Sequence, residues 1–258
     1  MNDLPRPIAQ LVDVLAAMPG AVAVVLGGSR AAGSSDPMSD WDLGLYYRGA
    51  IDLAALSARG VVYPPGSWGR VMNGGAWLRC GDERVDVILR DLDAVEHWTR
   101  RAEQGEFEVD PLLGYLAGVP TYLLTAELAS CRVLHGALPA APYPPKLAAA
   151  APPWWRFCRS FSLDYARTHA KRGGRVGAIG QAAKAVMEEA HAILCGRSRW
   201  VCNEKRLIQD AGITDLDDLF GQVPSVPADL VRWVDRVAER LGVPGDEIAP
   251  WSDAGRAT

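Results

Sequence analysis

Apolar residues recur at the spacing of an amphipathic helix over residues 8–18, IAQLVDVLAAM, and the pattern stops at Pro19-Gly20. The next run, AVAVVL at 21–26, is apolar throughout and predicts a buried strand. A second strand is predicted over 41–47, WDLGLYY. The chain therefore opens with a helix and two strands, which indicates a mixed α and β unit.

A β-hairpin is predicted from the next two apolar runs, AWLRC at 76–80 and RVDVILR at 84–90, which a turn at Gly81-Asp82 connects. Further helical stretches are predicted over residues 51–58, 92–104 and 112–134, the last with an interruption at 118–120. The first part of the chain thus alternates strands with helices.

The composition shifts at residues 139–153, PAAPYPPKLAAAAPP, where six prolines predict a linker. All the periodic segments beyond it have helical spacing. The predicted fold class is therefore α+β, with a mixed β-sheet and flanking helices followed by a C-terminal α-helical bundle. The predicted domains are 1–138 and 154–258, joined by the linker 139–153.

The overall composition is that of an ordinary globular protein, because 49% of the 258 residues are hydrophobic and 22% are charged. The N-terminus lacks a secretory pattern and no apolar run reaches membrane-spanning length, so we expect a cytoplasmic protein without a membrane partner. A net charge of −4 argues against a nucleic-acid partner. The five scattered cysteines predict reduced thiols: Cys80, Cys131, Cys158, Cys195 and Cys202.

Three aspartates lie within or beside the predicted strands, where a bare carboxylate is unfavourable. Asp40 and Asp42 are two residues apart, so their side chains share one face of a strand. Asp86 lies within RVDVIL, and three acids would converge if that strand lay beside 41–47. Carboxylate oxygens suit Mg²⁺, and such a cluster is what metal-assisted phosphoryl transfer requires. The alternative is that Asp40 caps a turn and Asp42 faces water on an edge strand.

A glycine turn follows the first strand directly, in the sequence Gly27-Gly28-Ser29-Arg30. Glycines let the backbone approach a ligand closely, and exposed N–H groups in such a turn can hold phosphate. Ser29 adds a hydroxyl donor and Arg30 a positive charge. The spacing fits neither a P-loop nor a dinucleotide-binding fingerprint.

The glycine-serine turn, the ten-residue gap, the Asp-x-Asp pair and the later single aspartate together resemble the DNA polymerase beta-like nucleotidyltransferase superfamily over residues 20–90. The chain looks like the small bacterial antibiotic nucleotidyltransferases that carry a C-terminal helical domain. The resemblance implies that Asp40, Asp42 and Asp86 bind Mg²⁺ and serve catalysis, with Asp86 a metal ligand or the base. It implies ATP or another nucleoside triphosphate as co-substrate. The predicted nucleotide-binding residues are Gly27, Gly28, Ser29, Arg30, Ser39, Lys184, Asn203 and Lys205.

Three of those residues belong to the helical half of the chain. Lys184 lies in a helix of small, apolar residues, where a lysine either extends to solvent or contacts a phosphate. Asn203 and Lys205 occur in the segment NEKRL, which the resemblance associates with phosphate contact. Both interpretations of Lys184 stay open from the sequence.

The predicted activity is Mg²⁺-dependent transfer of a nucleoside monophosphate, AMP from ATP in the first instance, with release of pyrophosphate. The predicted acceptor is a hydroxyl of a small molecule such as an aminoglycoside-like antibiotic, which would connect the enzyme with antibiotic resistance. One alternative is transfer to a macromolecule, either a protein or tRNA. Another is a nucleotide-binding protein without catalysis.

Overall fold

The computed structural model describes residues 4–31, 33 and 39–243. The chain divides into two compact units. The first holds residues up to 110 together with 120–142, and the second holds 111–119 together with the residues from 143 onward. Among the described residues, no helix combines the length and the apolar character that crossing a bilayer requires.

The first unit contains a six-stranded sheet, whose strands are β1 (Ala21–Leu26), β2 (Trp41–Tyr47), β3 (Gly60–Tyr63), β4 (Gly74–Cys80), β5 (Glu83–Asp91) and β8 (Arg132–Gly136). Their spatial order across the sheet is β3-β4-β5-β2-β1-β8. Strands β2 and β5 are parallel and the other neighbours are antiparallel. Two further two-residue strands are β6 (Val109–Asp110) and β7 (Val119–Pro120). The sheet is therefore mixed, as predicted.

The helices of the first unit are α1 (Arg6–Ala16), α2 (Gly28–Ala31), α3 (Gly69–Met72), α4 (Leu92–Glu103) and α5 (Leu123–Ser130). The apolar face of α1, with Ile8, Leu11 and Leu15, packs against the inner face of the sheet and forms its core. The strands alternate accordingly: Trp41 and Leu43 lie in that core, and the residues between and beside them lie on the opposite, outer face.

The second unit is helical, with α6 (Pro145–Lys171), α7 (Arg175–Gly196), α8 (Leu207–Ala211), α9 (Asp215–Phe220) and α10 (Pro227–Arg240). Small buried residues of α7, among them Ala178, Ala182 and Ala185, leave room for a core that also contains Trp233 of α10. The predicted α+β class with a C-terminal helical bundle is confirmed.

Three sequence-based expectations are wrong in part. Residues 51–58 contain only a short 3₁₀ turn, Ala54–Leu56. The predicted helical segment 112–134 is helical only over Leu123–Ser130 and then enters β8. The predicted linker 139–153 is helical from Pro145 onward, since proline at the first helical position loses no hydrogen bond and has a φ suited to a helix. Pro152 and Pro153 lie inside that helix.

Candidate active site

Asp42 and Asp86 lie directly opposite each other in the register of the parallel strands β2 and β5. Register partners in a sheet project to the same face, and neighbouring strands are about 4.8 Å apart. The neighbours of Asp86 on its strand, Val85 and Val87, are buried in the core, so Asp86 lies on the outer face. The condition stated from the sequence, that the Asp86 strand lies beside 41–47, is met.

Asp40 immediately precedes β2 and forms an ion pair with Arg84 of β5. The two atoms, Arg84 Nε and Asp40 Oδ1, are 2.8 Å apart. Asp40 Oδ1 is buried and receives no hydrogen bond with good geometry from any residue that the structure describes. Asp40 therefore lies two residues before Asp42 along the chain, and its carboxylate is paired with the guanidinium of Arg84.

Within residues 4–31, 33 and 39–243, no three carboxylate, histidine or cysteine side chains converge closely enough to hold a metal ion. The structure aligns Asp42 with Asp86 but pairs Asp40 with an arginine. The donor set nevertheless fits Mg²⁺ in chemistry, because all three side chains offer carboxylate oxygens, the kind of ligand that Mg²⁺ prefers. The Mg²⁺ site stays a prediction.

The glycine turn lies against Asp42. The Gly27 N–H donates to the carbonyl oxygen of Asp42 over 2.8 Å. Gly28 has a φ of +60°, and a Cβ built on it would lie 1.8 Å from Asp42 Oδ2. Only glycine therefore fits at this position, both for its backbone conformation and for its closeness to the carboxylate. The structure thus brings Gly27, Gly28, Asp42 and Asp86 together.

Arg30 contacts the chain that leads into β2. Its Nη2 donates to the Ser39 carbonyl over 2.6 Å and its Nε to the Asp40 carbonyl over 3.2 Å. Its guanidinium also lies 4.2 Å from the centre of the Trp41 ring, a cation–π contact. Ser29 lies beside it in α2 and is half-buried. Arg30 thereby fixes the start of the strand that carries Asp42, a role that the sequence did not indicate.

The other three predicted binding residues lie in the second unit. Lys184 Nζ is 3.8 Å from Oε1 of Glu188, one turn further along α7. Asn203 Oδ1 accepts the Lys205 backbone N–H over 3.0 Å. Asn203 and Lys205 line a cavity of about 500 Å³ with Gly114, Tyr115, Leu116, Met187 and Glu204. Phosphate contact by these residues stays a prediction.

Glu188 is a buried acid whose surroundings favour its neutral form. Burial raises the pKa of Glu188 to about 7, against the opposing effects of the Ser162 hydroxyl and the Lys184 ammonium. The carboxyl partner of Lys184 is thus in part uncharged at neutral pH.

We expect Glu188→Gln to be more stable than the natural protein at pH 8, by up to about 3 kcal/mol. The pKa of Glu188 is higher in the folded protein than in the unfolded chain, so protonated Glu188 contributes fully to the stability of the natural protein at low pH. That contribution is lost as the pH rises towards and through 7, because the buried carboxyl group ionises, whereas a glutamine does not titrate. Urea unfolding at pH 5 and pH 8 measures the difference, with exposed Glu239→Gln as the control. Equal free energies of unfolding for Glu188→Gln and the natural protein at pH 8 would contradict this expectation.

An aromatic cluster on the outer face of the sheet was not predicted from the sequence. Tyr63, Trp68 and Trp77 pack with ring centroids 4.8 to 6.0 Å apart. Trp77 is 52% exposed and is the register partner of Asp86. The available signal was the strand AWLRC, in which a tryptophan occupies the outward position of an alternating pattern.

A scan against protein-family models finds no match for this chain, and a search of curated proteins also finds none. Among solved structures, a nucleotidyltransferase-like protein from Exiguobacterium sibiricum 255-15 is similar with a TM-score of 0.46 and 13% identity. The match covers 92% of this chain and 74% of that one. An aminoglycoside 6-adenyltransferase from Bacillus subtilis is similar with a TM-score of 0.28 and 10% identity, over 98% of this chain and 96% of that one. Both likenesses are distant, so the chemistry of this chain follows from its own residues.

Proposed function

We propose that this protein is a nucleotidyltransferase that moves a nucleoside monophosphate, AMP from ATP, onto a hydroxyl group of an acceptor and releases pyrophosphate. The observation that carries the proposal is the alignment of Asp42 with Asp86 on neighbouring parallel strands, with the Gly28 backbone against the Asp42 carboxylate. This combination supports a site in which a phosphate group approaches two carboxylates without obstruction by a side chain.

The glycine turn would hold the donor. A nucleoside triphosphate is strongly anionic, and backbone N–H groups of a turn bind phosphate oxygens without introducing side chains. The acidic residues repel such a ligand unless a divalent cation is present. Asp40, Asp42 and Asp86 would hold Mg²⁺, which when bound neutralises charge on the phosphates. Arg30 would stabilise the site indirectly, because its hydrogen bonds to the Ser39 and Asp40 carbonyls hold the chain that leads into β2.

Asp86 would act as the general base. An acceptor hydroxyl gives its proton to the Asp86 carboxylate while its oxygen attacks the α-phosphorus of the donor. The new phosphorus–oxygen bond forms as the bond from the α-phosphorus to the bridging oxygen breaks, and that oxygen leaves with pyrophosphate. The proton then passes from Asp86 to solvent. The remaining contribution of the site is to position the two reactants.

Thermal unfolding of the full chain with ATP, GTP, CTP or UTP tests donor binding directly. We expect at least one triphosphate to raise the melting temperature, and to do so only when Mg²⁺ is present. A ligand at one hundred times its dissociation constant adds about 2.7 kcal/mol to the free energy of unfolding. Inorganic pyrophosphate release with a panel of hydroxylated acceptors then measures turnover. Absence of any shift with all four nucleotides and Mg²⁺ would overturn the proposal.

A further inference from the structure

The two aligned carboxylates belong to a longer row of side chains across the outer face of the sheet. Trp77 of β4 is the register partner of Asp86, and Val61 of β3 is the register partner of Trp77. The order across the sheet is therefore the glycine turn, Asp42, Asp86, Trp77 and Val61. Asp86 lies between Asp42 and Trp77, with the glycine turn beyond Asp42.

Trp77 is held in place, although half of its surface is exposed. Its ring meets Tyr63 edge-on with centroids 4.8 Å apart, and lies 6.0 Å from Trp68 at an angle of 30°. Trp68 can occupy its position because Gly75 has no side chain, since a Cβ there would lie 2.7 Å from the Trp68 ring. An exposed, fixed ring of this kind is a surface on which a flat molecule stacks with little loss of conformational entropy.

Positive charge lies beside this ring on the same face. Arg79 and Arg84 are register partners, each two residues along its strand from Trp77 and Asp86. Like charges directly opposite in a sheet destabilise it, so an anion between them would be favourable. Arg84 contacts Asp40, whereas exposed Arg79 forms no ion pair within the described part of the chain.

We propose, resting on the function proposed above, that the acceptor carries a flat ring that stacks on Trp77 and an anionic group that binds Arg79. Its hydroxyl then lies at Asp86, on the side away from the donor. This is the chemistry of a nucleotide, supplied either as a free nucleoside monophosphate or as the terminal nucleotide of single-stranded RNA. A polycationic aminosugar, which the resemblance implied, would instead place its ammonium groups beside Arg79 and Arg84.

Pyrophosphate release from ATP and Mg²⁺ tests this acceptor class with uridine 5′-monophosphate, hexauridylate, uridine and kanamycin. We expect turnover with either phosphorylated acceptor, turnover with uridine at a higher KM because it lacks the anionic group, and none with kanamycin. The two phosphorylated acceptors distinguish the free nucleotide from the RNA end. Trp77→Ala should raise the KM of the phosphorylated acceptor roughly 5- to 150-fold, the effect of losing one stacked base. Trp77→Phe should raise that KM less than Trp77→Ala does, because a phenyl ring still stacks. The phenylalanine variant also provides the measurement if Trp77→Ala does not fold.

Arg79→Gln separates the anion contact from stacking. We expect it to raise the KM of uridine 5′-monophosphate but not that of uridine, whereas Arg132→Gln on the edge strand β8 changes neither. The KM of ATP should stay unchanged in all these variants. Turnover with kanamycin alone, or with none of the acceptors while ATP and Mg²⁺ still stabilise the protein, overturns this inference and leaves donor binding intact. If ATP and the other triphosphates do not bind, the proposed function itself fails.

Discussion

Asp42→Asn should lower the turnover number of nucleotidyl transfer by at least roughly 100-fold, the usual cost of removing one charge-stabilising group from a reaction site. Asparagine has nearly the same shape as aspartate but lacks the negative charge that would bind a cation. The side chain lies on the outer face of β2, opposite Asp86 and next to Gly28. Because it is outside the core, we expect the free energy of unfolding to change by only about 1 kcal/mol. Pyrophosphate release and urea unfolding measure the two quantities.

Two further variants make this result specific. Asp13→Asn changes an exposed aspartate on α1 and should leave turnover unchanged. Asp86→Asn should also reduce turnover, and any remaining activity should lose the acidic limb of its pH–rate profile if Asp86 is the base. Full turnover in a folded Asp42→Asn protein would exclude Asp42 from the chemistry, even if ATP still bound.

The face of the strand on which each of Asp42 and Asp86 lies could be anticipated, because each strand has its own strong pattern. A buried run, a polar residue inside it and the two-residue period of a strand fix which face each aspartate occupies. The sequence does not determine the partner strand or the register, which depend on packing across the whole sheet. The Arg84–Asp40 ion pair follows from that register. The sequence therefore predicted that three acids converge, but not that an arginine pairs with one of them.

The errors at 112–134 and 139–153 have a different physical origin. Residues 139–153 combine alanines, which favour a helix, with prolines, which disfavour one, and residues 112–134 combine leucines with glycines and a proline. The local preferences conflict in both segments, so tertiary packing decides their conformation. In α6, Leu147, Ala151 and Trp155 are buried four residues apart, which gives a helix with one apolar face despite the internal prolines. The segment after α5 becomes a strand because it pairs with β1. The local sequence shows neither the residues against which α6 packs nor the strand with which β8 pairs.

Arg30 and Trp77 show why the contacts of single side chains are harder to predict than strands. Arg30 follows the glycine turn, so its position in the sequence indicated a phosphate contact, yet its guanidinium is engaged with two carbonyls and the Trp41 ring. Trp77 lies 35 residues from Asp42 in sequence but only two strands away in space. Large side chains reach beyond their own element, and their contacts depend on the assembled sheet.

Gly28→Ala should both destabilise the protein and impair turnover, because the new methyl group would occupy the space of the Asp42 carboxylate. The Cβ would lie 1.8 Å from Asp42 Oδ2, so that side chain must move. Left-handed backbone and overpacking together cost about 2–5 kcal/mol. A displacement of about 1 Å at a reacting group can lower the rate by about 100-fold. Urea unfolding and pyrophosphate release measure the two effects.

Two other glycines separate the causes of that loss. Gly33 has a φ of +68°, and no residue that the structure describes lies within 4 Å of a Cβ added there, so among those residues Gly33→Ala adds backbone strain without a clash, at about 1–2 kcal/mol. Gly27 has no such φ, and its added Cβ would lie 3.8 Å from the nearest atom, an Asp42 backbone oxygen, so Gly27→Ala should leave the free energy of unfolding nearly unchanged. If Gly28→Ala costs no more stability than Gly33→Ala and retains full turnover, the contact between the glycine turn and Asp42 has no part in the reaction. A loss of turnover at Gly28 beyond that at Gly33 instead assigns the effect to the displaced carboxylate, since strain is common to both positions.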